Sequence, residues 1–294
     1  MKKLIFSGSA VALVTPFSAD GSEVNFDVLE ELVEFHNKNG TKALVVCATT
    51  GEFSTLSKSE RKKIIKFVVD KTRNRIPVIA GVGANCTRKT LNNCLDAQEL
   101  GADAFLVITP YYNKANQEGL FKHYEYINDR VNLPIIIYNN PARTSVNIQP
   151  ETYKRLSGLN NINSVKEANS DLSRFLIVKS LCKNDLVFYS GNDDLALPMM
   201  SIGASGVIST FANIFPKIMS NICEFCFENR KDKSLDLLLK YINIMDLLFC
   251  DVNPIPVKKA LNLMGFNVGI PRLPLTELND EISVKLDLEI KKFF

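Results

Sequence analysis

Lys166 closes a short apolar stretch, Ile162-Asn163-Ser164-Val165-Lys166, and Glu167-Ala168 follow it. If that stretch is a strand in a strand-and-helix alternation, its terminal amine points into the mouth of an α/β fold rather than into bulk water. A desolvated lysine loses its proton more readily, and a neutral amine is a nucleophile toward carbonyl carbon. The competing reading is a surface lysine whose methylenes lie along the protein with the charge in water. The choice therefore depends on the residues that end the other apolar runs.

Tyr138 ends one such run, and Asn139-Asn140-Pro141-Ala142-Arg143-Thr144 follows it. If the runs carrying Tyr138 and Lys166 are adjacent strands, about 4.8 Å apart, a phenol and an amine reach one reacting atom. That pair suits proton shuttling around an imine, whereas the alternative for Tyr138 is an aromatic of the core or rim. Arg143 offers a planar fork for a substrate carboxylate, against an ordinary surface salt bridge. Ala48-Thr49-Thr50-Gly51-Glu52 places two hydroxyls and a glycine in a turn that can present donors to a carboxylate, or simply enter a helix. Thr109-Pro110-Tyr111-Tyr112-Asn113 adds two phenols in a loop. His36 and His123 are the only histidines, both in helical patterns, so a metal-dependent aldolase or a Ser-His-Asp hydrolase has little to be built from. Asp193-Asp194 reads as a turn with Gly191-Asn192 ahead of a carboxylate pair. Cys223-Glu224-Phe225-Cys226 reads as two thiols on one helix face, because no second cysteine pair accompanies it. A lysine nucleophile with tyrosine as acid and base leads, and it fits Schiff-base chemistry on a keto acid: the protonated imine draws electrons from the adjacent carbon, and the resulting enamine attacks an aldehyde.

These residues need a frame that gathers strand ends. Eight apolar, β-rich runs recur at 10–14, 43–47, 78–81, 104–108, 135–139, 162–166, 187–190 and 206–209, each followed by turn residues and a helical pattern. One helix begins behind an Asn25 cap and ends at Gly40; another begins at Ser57 with Glu60 three residues on, a capping box. Nearly continuous apolar strands are buried on both faces, as in a parallel sheet covered by helices. Eight units close into a (β/α)8 TIM barrel of the α/β class, whose active site forms at the C-terminal ends of the strands. An open doubly wound sheet is disfavoured, because Thr15-Pro16-Phe17 rather than a glycine-rich loop follows the first strand, and Gly81-Val82-Gly83 is too short to replace one. The expected organisation is a catalytic barrel over residues 1–225 and a C-terminal α-helical appendage over 226–294, broken by Asn253-Pro254-Ile255-Pro256 and Pro271-Arg272-Leu273-Pro274.

Composition agrees with small-molecule chemistry. Apolar residues make up 46% and charged residues 23% of 294, within the globular range. A formal charge of +3 without a basic run leaves no footprint for nucleic acid or a membrane surface. The start Met1-Lys2-Lys3-Leu4-Ile5-Phe6 is interrupted by Ser7, Gly8 and Ser9 before an apolar leader forms, and no run reaches the length of a membrane span. A cytoplasmic protein is expected, its seven cysteines reduced.

The chain resembles the dihydrodipicolinate synthase and N-acetylneuraminate lyase superfamily, and within it the dihydrodipicolinate synthase branch, over essentially its full length. The matching motifs are Thr49-Thr50-Gly51-Glu52, Ile76-Pro77-Val78-Ile79-Ala80-Gly81, Thr109-Pro110-Tyr111-Tyr112-Asn113, Tyr138-Asn139 with Pro141 and Arg143-Thr144, Lys166-Glu167-Ala168, Ser190-Gly191, Gly206-Val207-Ile208-Ser209 and Asn253-Pro254-Ile255-Pro256-Val257-Lys258. The resemblance implies a lyase of lysine and diaminopimelate biosynthesis that condenses pyruvate with L-aspartate 4-semialdehyde. It implies Lys166 as imine former, Tyr138 passing protons through Thr49 and Tyr112, the latter from a neighbouring subunit. It implies Thr50, Gly191 and the backbone at Ile208 as pyruvate contacts, and Arg143 as receiver of the semialdehyde carboxylate. No metal or organic cofactor is implied, and a homo-oligomer is, a tetramer built as a dimer of dimers ahead of a dimer.

Three departures stand out: Ala48 where glycine is common, Asn140 where an aliphatic residue is common, and Asn169-Ser170 where a small residue and glycine are usual. Members inhibited by lysine often carry two histidines and a glutamate where this chain has Lys58, Arg61 and Lys89, so weak or absent lysine feedback is expected despite Asn85 and Tyr111. Two other readings compete. An N-acetylneuraminate or 2-keto-3-deoxy sugar acid aldolase shares the imine, but needs other polar groups after Pro141. A silent keto-acid-binding protein shares the barrel, but has no use for a complete relay. Adjacent strand residues face opposite sides, so Glu167 is expected to point away from the Lys166 amine.

Overall fold

A computed structural model describes residues 2 and 4–293 of the chain. Met1 and Lys3 of the N-terminal start, and Phe294 at the end of the appendage, lie outside the described residues. The strands are β1 (Gly8–Ala12), β2 (Ala43–Val46), β3 (Val78–Gly81), β4 (Ala104–Ile108), β5 (Ile135–Asn139), β6 (Ile162–Glu167), β7 (Val187–Ser190) and β8 (Gly206–Ser209). They form one closed barrel in chain order, with β8 returning in parallel to β1. The helices are α1 (Phe26–Lys38), α2 (Lys58–Thr72), α3 (Thr87–Glu99), α4 (Gln117–Asn128), α5 (Pro141–Thr144), α6 (Pro150–Ser157), α7 (Leu172–Cys182), α8 (Ala196–Ser201), α9 (Pro216–Phe227), α10 (Lys231–Leu247), α11 (Ile255–Leu263) and α12 (Asp280–Ile290). This is the expected (β/α)8 TIM barrel with a C-terminal helical appendage.

Two buried layers explain why the strands read as continuous apolar runs. Ala10, Ala12, Ala43, Val45, Ile79, Ala104, Leu106, Ile136, Tyr138, Tyr189 and Ile208 fill the interior, while the alternate residues, among them Val11, Leu44, Phe105, Ile137, Val165 and Phe188, pack outward against the helices. At the N-terminal end of the barrel Phe6 stacks on Tyr189 at 4.1 Å between centroids and its carbonyl accepts from the Tyr189 hydroxyl at 2.8 Å. That plug closes the end opposite the site.

Strand limits differ from expectation at four places: β1 begins at Gly8, paired with Gly206 of β8, rather than at residue 10, and three strand ends move, each for a local reason. β1 stops at Ala12 rather than residue 14, because Val14 N–H turns from the ladder to Asn213 Oδ1 at 3.1 Å. β2 stops at Val46, because Cys47 takes a left-handed backbone (φ 52°) to start the turn that carries Thr49 and Thr50. β6 continues through Glu167, which pairs with Asn139 and Ser190 on its two neighbours. Both helix starts read from the sequence are present: Asn25 Oδ1 accepts from Val28 N–H at 3.1 Å, and Ser57 and Glu60 exchange both bonds of a capping box. α9 packs on β1 and runs from Pro216 through Phe227.

Candidate active site

The C-terminal strand ends converge on the pair that the sequence singled out. Tyr138 and Lys166 are direct partners in the β5–β6 ladder, so both side chains leave the sheet on the same side at the same height. Lys166 Nζ lies 4.6 Å from the centre of the Tyr138 ring, and the two residues are only 5% and 6% exposed. An amine and a phenol are thus held against each other away from solvent. The Tyr138 hydroxyl accepts from Asn140 Nδ2 at 2.8 Å.

Glu167 faces the other side of β6, as its position in the pleat requires. Its carboxylate accepts from Asn139 Nδ2 at 2.8 Å, Asn169 N–H at 3.0 Å and the Tyr153 hydroxyl at 2.8 Å. Burial raises its pKa against those donors, and the cluster fastens β5, β6 and α6 together behind the amine. Gly191 follows β7, where its N–H bonds Glu167 O at 2.7 Å and a Cβ would lie 2.7 Å from the Ala168 Cβ. Only glycine fits that approach.

A cavity of about 280 Å³ opens above Tyr138, lined among others by Thr49, Phe53, Tyr111, Arg143 and Asn253. Thr49, Tyr138 and Arg143 therefore share one space; Lys166 is not among the residues that line it, and touches it only through the Tyr138 ring it lies against. Thr50, Ile208 and Gly191 are not among the residues that line it, and the first two are buried. Tyr112 is not brought into this cavity: it has a left-handed backbone (φ 74°) and is 89% exposed.

The C-terminal appendage completes the site in a way that no sequence period announced. Asn253, just before α11, donates from Nδ2 to Thr50 Oγ1 at 3.0 Å, and its carbonyl accepts from Arg143 Nη2 at 3.0 Å. One residue thus ties the β2 loop to the guanidinium. Five residues on, Lys258 Nζ meets Glu52 Oε1 at 2.8 Å, with both side chains 1% exposed. Glu52 Oε2 accepts from Arg272 N–H at 2.9 Å, Lys258 also donates to Ile270 O at 3.0 Å, and the Phe17 ring lies 4.1 Å from Lys258 Nζ. Burial lowers the Lys258 pKa to about 8 against the pull of Glu52. Glu52 and Lys258 close two of the family-like motifs, and the sequence marks them only as an acid and a base, each in an apolar setting.

The remaining candidates settle into structural places. Asp193 is buried in the turn after β7, where Oδ2 accepts from Thr210 N–H at 3.2 Å and Phe211 N–H at 2.9 Å, while exposed Asp194 points outward. His36 and His123 are buried in α1 and α4, bonded to Thr41 and Thr87, and burial lowers their pKa values to about 3 and about 4. Cys223 and Cys226 lie in α9, and all seven cysteines are free thiols. Among the described residues no group of three or more His, Cys, Asp or Glu is placed to hold a metal ion.

With the geometry in place, the chain matches the family described as "Dihydrodipicolinate synthetase family" over residues 5–293. The chain belongs to that family. It is 47% identical over 289 residues to a 4-hydroxy-tetrahydrodipicolinate synthase 1 of Clostridium acetobutylicum, covering 98% of each. It is 50% identical over 277 residues to the 4-hydroxy-tetrahydrodipicolinate synthase of Caldicellulosiruptor saccharolyticus, covering 94% of this chain and 93% of that one. Among solved structures, the chloride-inhibited dihydrodipicolinate synthase of Acinetobacter baumannii, complexed with pyruvate, superimposes with a TM-score of 0.94 at 44% identity, covering 97% of this chain and 98% of that one. Family membership over nearly the whole chain means that the appendage is as much part of the matched architecture as the barrel.

Proposed function

We propose that this chain condenses pyruvate with L-aspartate 4-semialdehyde through a Schiff base on Lys166. The activity is that of a 4-hydroxy-tetrahydrodipicolinate synthase, a lyase of the diaminopimelate route to lysine. The observation that carries the catalytic assignment is the Lys166 amine 4.6 Å from the Tyr138 ring centre on paired strand ends. The Lys166 nitrogen adds to C2 of pyruvate to give a carbinolamine. Tyr138 gives its proton to the carbinolamine hydroxyl, which leaves as water, and the resulting iminium acidifies the methyl group. The phenolate takes a methyl proton, yielding the enamine and restoring the phenol. The enamine carbon then attacks the aldehyde carbon of the second substrate, the phenol proton passing to the aldehyde oxygen and the iminium re-forming at C2. The substrate's amino nitrogen, after losing a proton to the phenolate, adds to C2, and proton transfer to the lysine nitrogen lets Lys166 leave as the free amine with the ring closed.

Thr49 shares the cavity with Tyr138 and extends the proton path, and Tyr112 of a neighbouring copy completes it. The 89% exposure of Tyr112 supports a partner at that edge. A homotetramer, a dimer of dimers, is the assembly proposed, and sedimentation equilibrium giving a monomer at assay concentration would count against it. Thr50, the Ile208 backbone and Gly191 hold the pyruvate side, and Arg143 receives the semialdehyde carboxylate. No helix among the described residues is long and apolar enough to cross a membrane. The cytoplasm is the compartment proposed.

The decisive measurement is mass spectrometry after treatment with pyruvate and borohydride. A single adduct on Lys166 is expected, and an unlabelled Lys166 excludes this mechanism. Parallel assays with N-acetylneuraminate separate the sugar-aldolase reading, for which cleavage at a rate comparable to the condensation is required.

A further inference from the structure

Asn140 departs from the aliphatic residue common at its position, and its side chain makes two bonds that an aliphatic one cannot. Nδ2 donates to Tyr138 Oη at 2.8 Å, while Oδ1 accepts from Arg143 N–H at 3.2 Å at the start of α5. The backbone carbonyl of Asn140 adds bonds from Arg143 N–H, Thr144 N–H and Thr144 Oγ1, so the four-residue turn carrying Arg143 is seated largely on this one residue. The amide is planar, and its two ends cannot be reoriented separately. A single group therefore joins the phenol to the segment that presents the guanidinium.

The bond to Oη has a chemical consequence. It occupies a lone pair of the phenol oxygen, so the hydroxyl proton must point elsewhere. It also meets the negative charge that forms on Oη once the proton has moved, in a site 6% exposed where such donors act most strongly.

We infer that Asn140 is a positioning residue of the condensation: it orients the Tyr138 hydroxyl, stabilises the transient phenolate and sets the Arg143 turn relative to it. This rests on the reading of Tyr138 as the acid and base. Asn140→Ser keeps a short side-chain acceptor for the cap but is too short to reach Tyr138, whereas Asn140→Val removes both bonds. For Asn140→Ser, kcat is expected to fall about three- to tenfold, the amount by which a bond to the phenolate exceeds one to the neutral phenol, with both KM values within about twofold. For Asn140→Val, the same kcat loss is expected together with a several-fold rise in KM for the semialdehyde. In a Tyr138→Phe background, Asn140→Ser is expected to cost nothing further. Wild-type kcat in Asn140→Ser, with Tyr138→Phe slow, overturns this inference and leaves the relay standing. An equal loss with and without the Tyr138 hydroxyl overturns it as well, because the effect is then not exerted through Oη. Wild-type kcat in Tyr138→Phe overturns the relay and this inference together.

Discussion

Lys166 and Tyr138 occupy paired positions on adjoining strands, and that register separates what each contributes. Removing the amine removes the only proposed covalent partner, so Lys166→Ala is expected to give no borohydride-trapped adduct and no turnover. Removing the phenol oxygen leaves the amine in place. Tyr138→Phe is therefore expected to form the trapped adduct while kcat falls by about a hundredfold to ten-thousandfold, the range of a general acid-base group. Steady-state rates and intact-protein mass spectra on the two variants check both statements, and equal loss of the adduct in both would remove the division of labour. Glu167, next to Lys166 in sequence, has no part in this, because the pleat turns it toward Asn139 and Tyr153. Sequence adjacency to a nucleophile is a poor guide on a strand, whereas ladder adjacency is a good one.

At the scale of elements, the β2 loop and α11 are locked by an ion pair that bridges 206 positions of the chain. A buried carboxylate and ammonium are each costly to desolvate, and removing one strands the other. Glu52→Gln is expected to destabilise the protein by about 3–5 kcal/mol, and Lys258→Met similarly, with the double variant losing less than the sum. Urea unfolding with a common m-value measures it, and simple additivity would show that the two groups do not depend on each other. This tie also marks the limit of what the sequence discloses. The eight strands, the Asn25 cap and the Ser57 box were legible because their signals are local: an apolar run, a capping residue, a period of 3.6. The Tyr138–Lys166 pairing was legible because chain order fixes strand neighbours in such a barrel. The bonds from Asn253 to Thr50 and Arg143, and from Lys258 to Glu52, were not. They join segments with no common period, and only the closed barrel brings them together. The ends of β1 and β2 were misplaced for the same reason, since Asn213 and a left-handed Cys47, rather than a loss of apolar character, stop those ladders.

At the scale of the whole molecule, a second cavity of about 410 Å³ adjoins the first, sharing Phe53, Ser54 and Tyr111 and bringing Lys58, Arg61 and Lys89 to one wall. A cationic amino acid gains nothing from three cations there, although Asp96 offsets Lys58 at 2.7 Å. Millimolar L-lysine is expected to leave the condensation rate nearly unchanged, and strong inhibition in a steady-state assay would contradict this. The molecule's response to acid follows from its two histidines. Both are buried and held neutral, with folded pKa values lowered from 6.5 to about 3 for His36 and about 4 for His123. Between those values and 6.5 the unfolded chain binds protons that the folded chain does not, so stability falls as pH drops through 6.5 and keeps falling toward the folded pKa values. The combined effect is several kcal/mol at about 1.4 kcal/mol for each pH unit of difference at each site. Carboxylates add their own acid dependence, so the comparison must be made between wild type and a variant. His36→Gln keeps a polar side chain without a titrating one. It is expected to show a flatter decline in melting temperature from pH 6.5 to 4 than wild type, whatever its stability at pH 8. Parallel declines in the two proteins would mean that His36 titrates alike folded and unfolded.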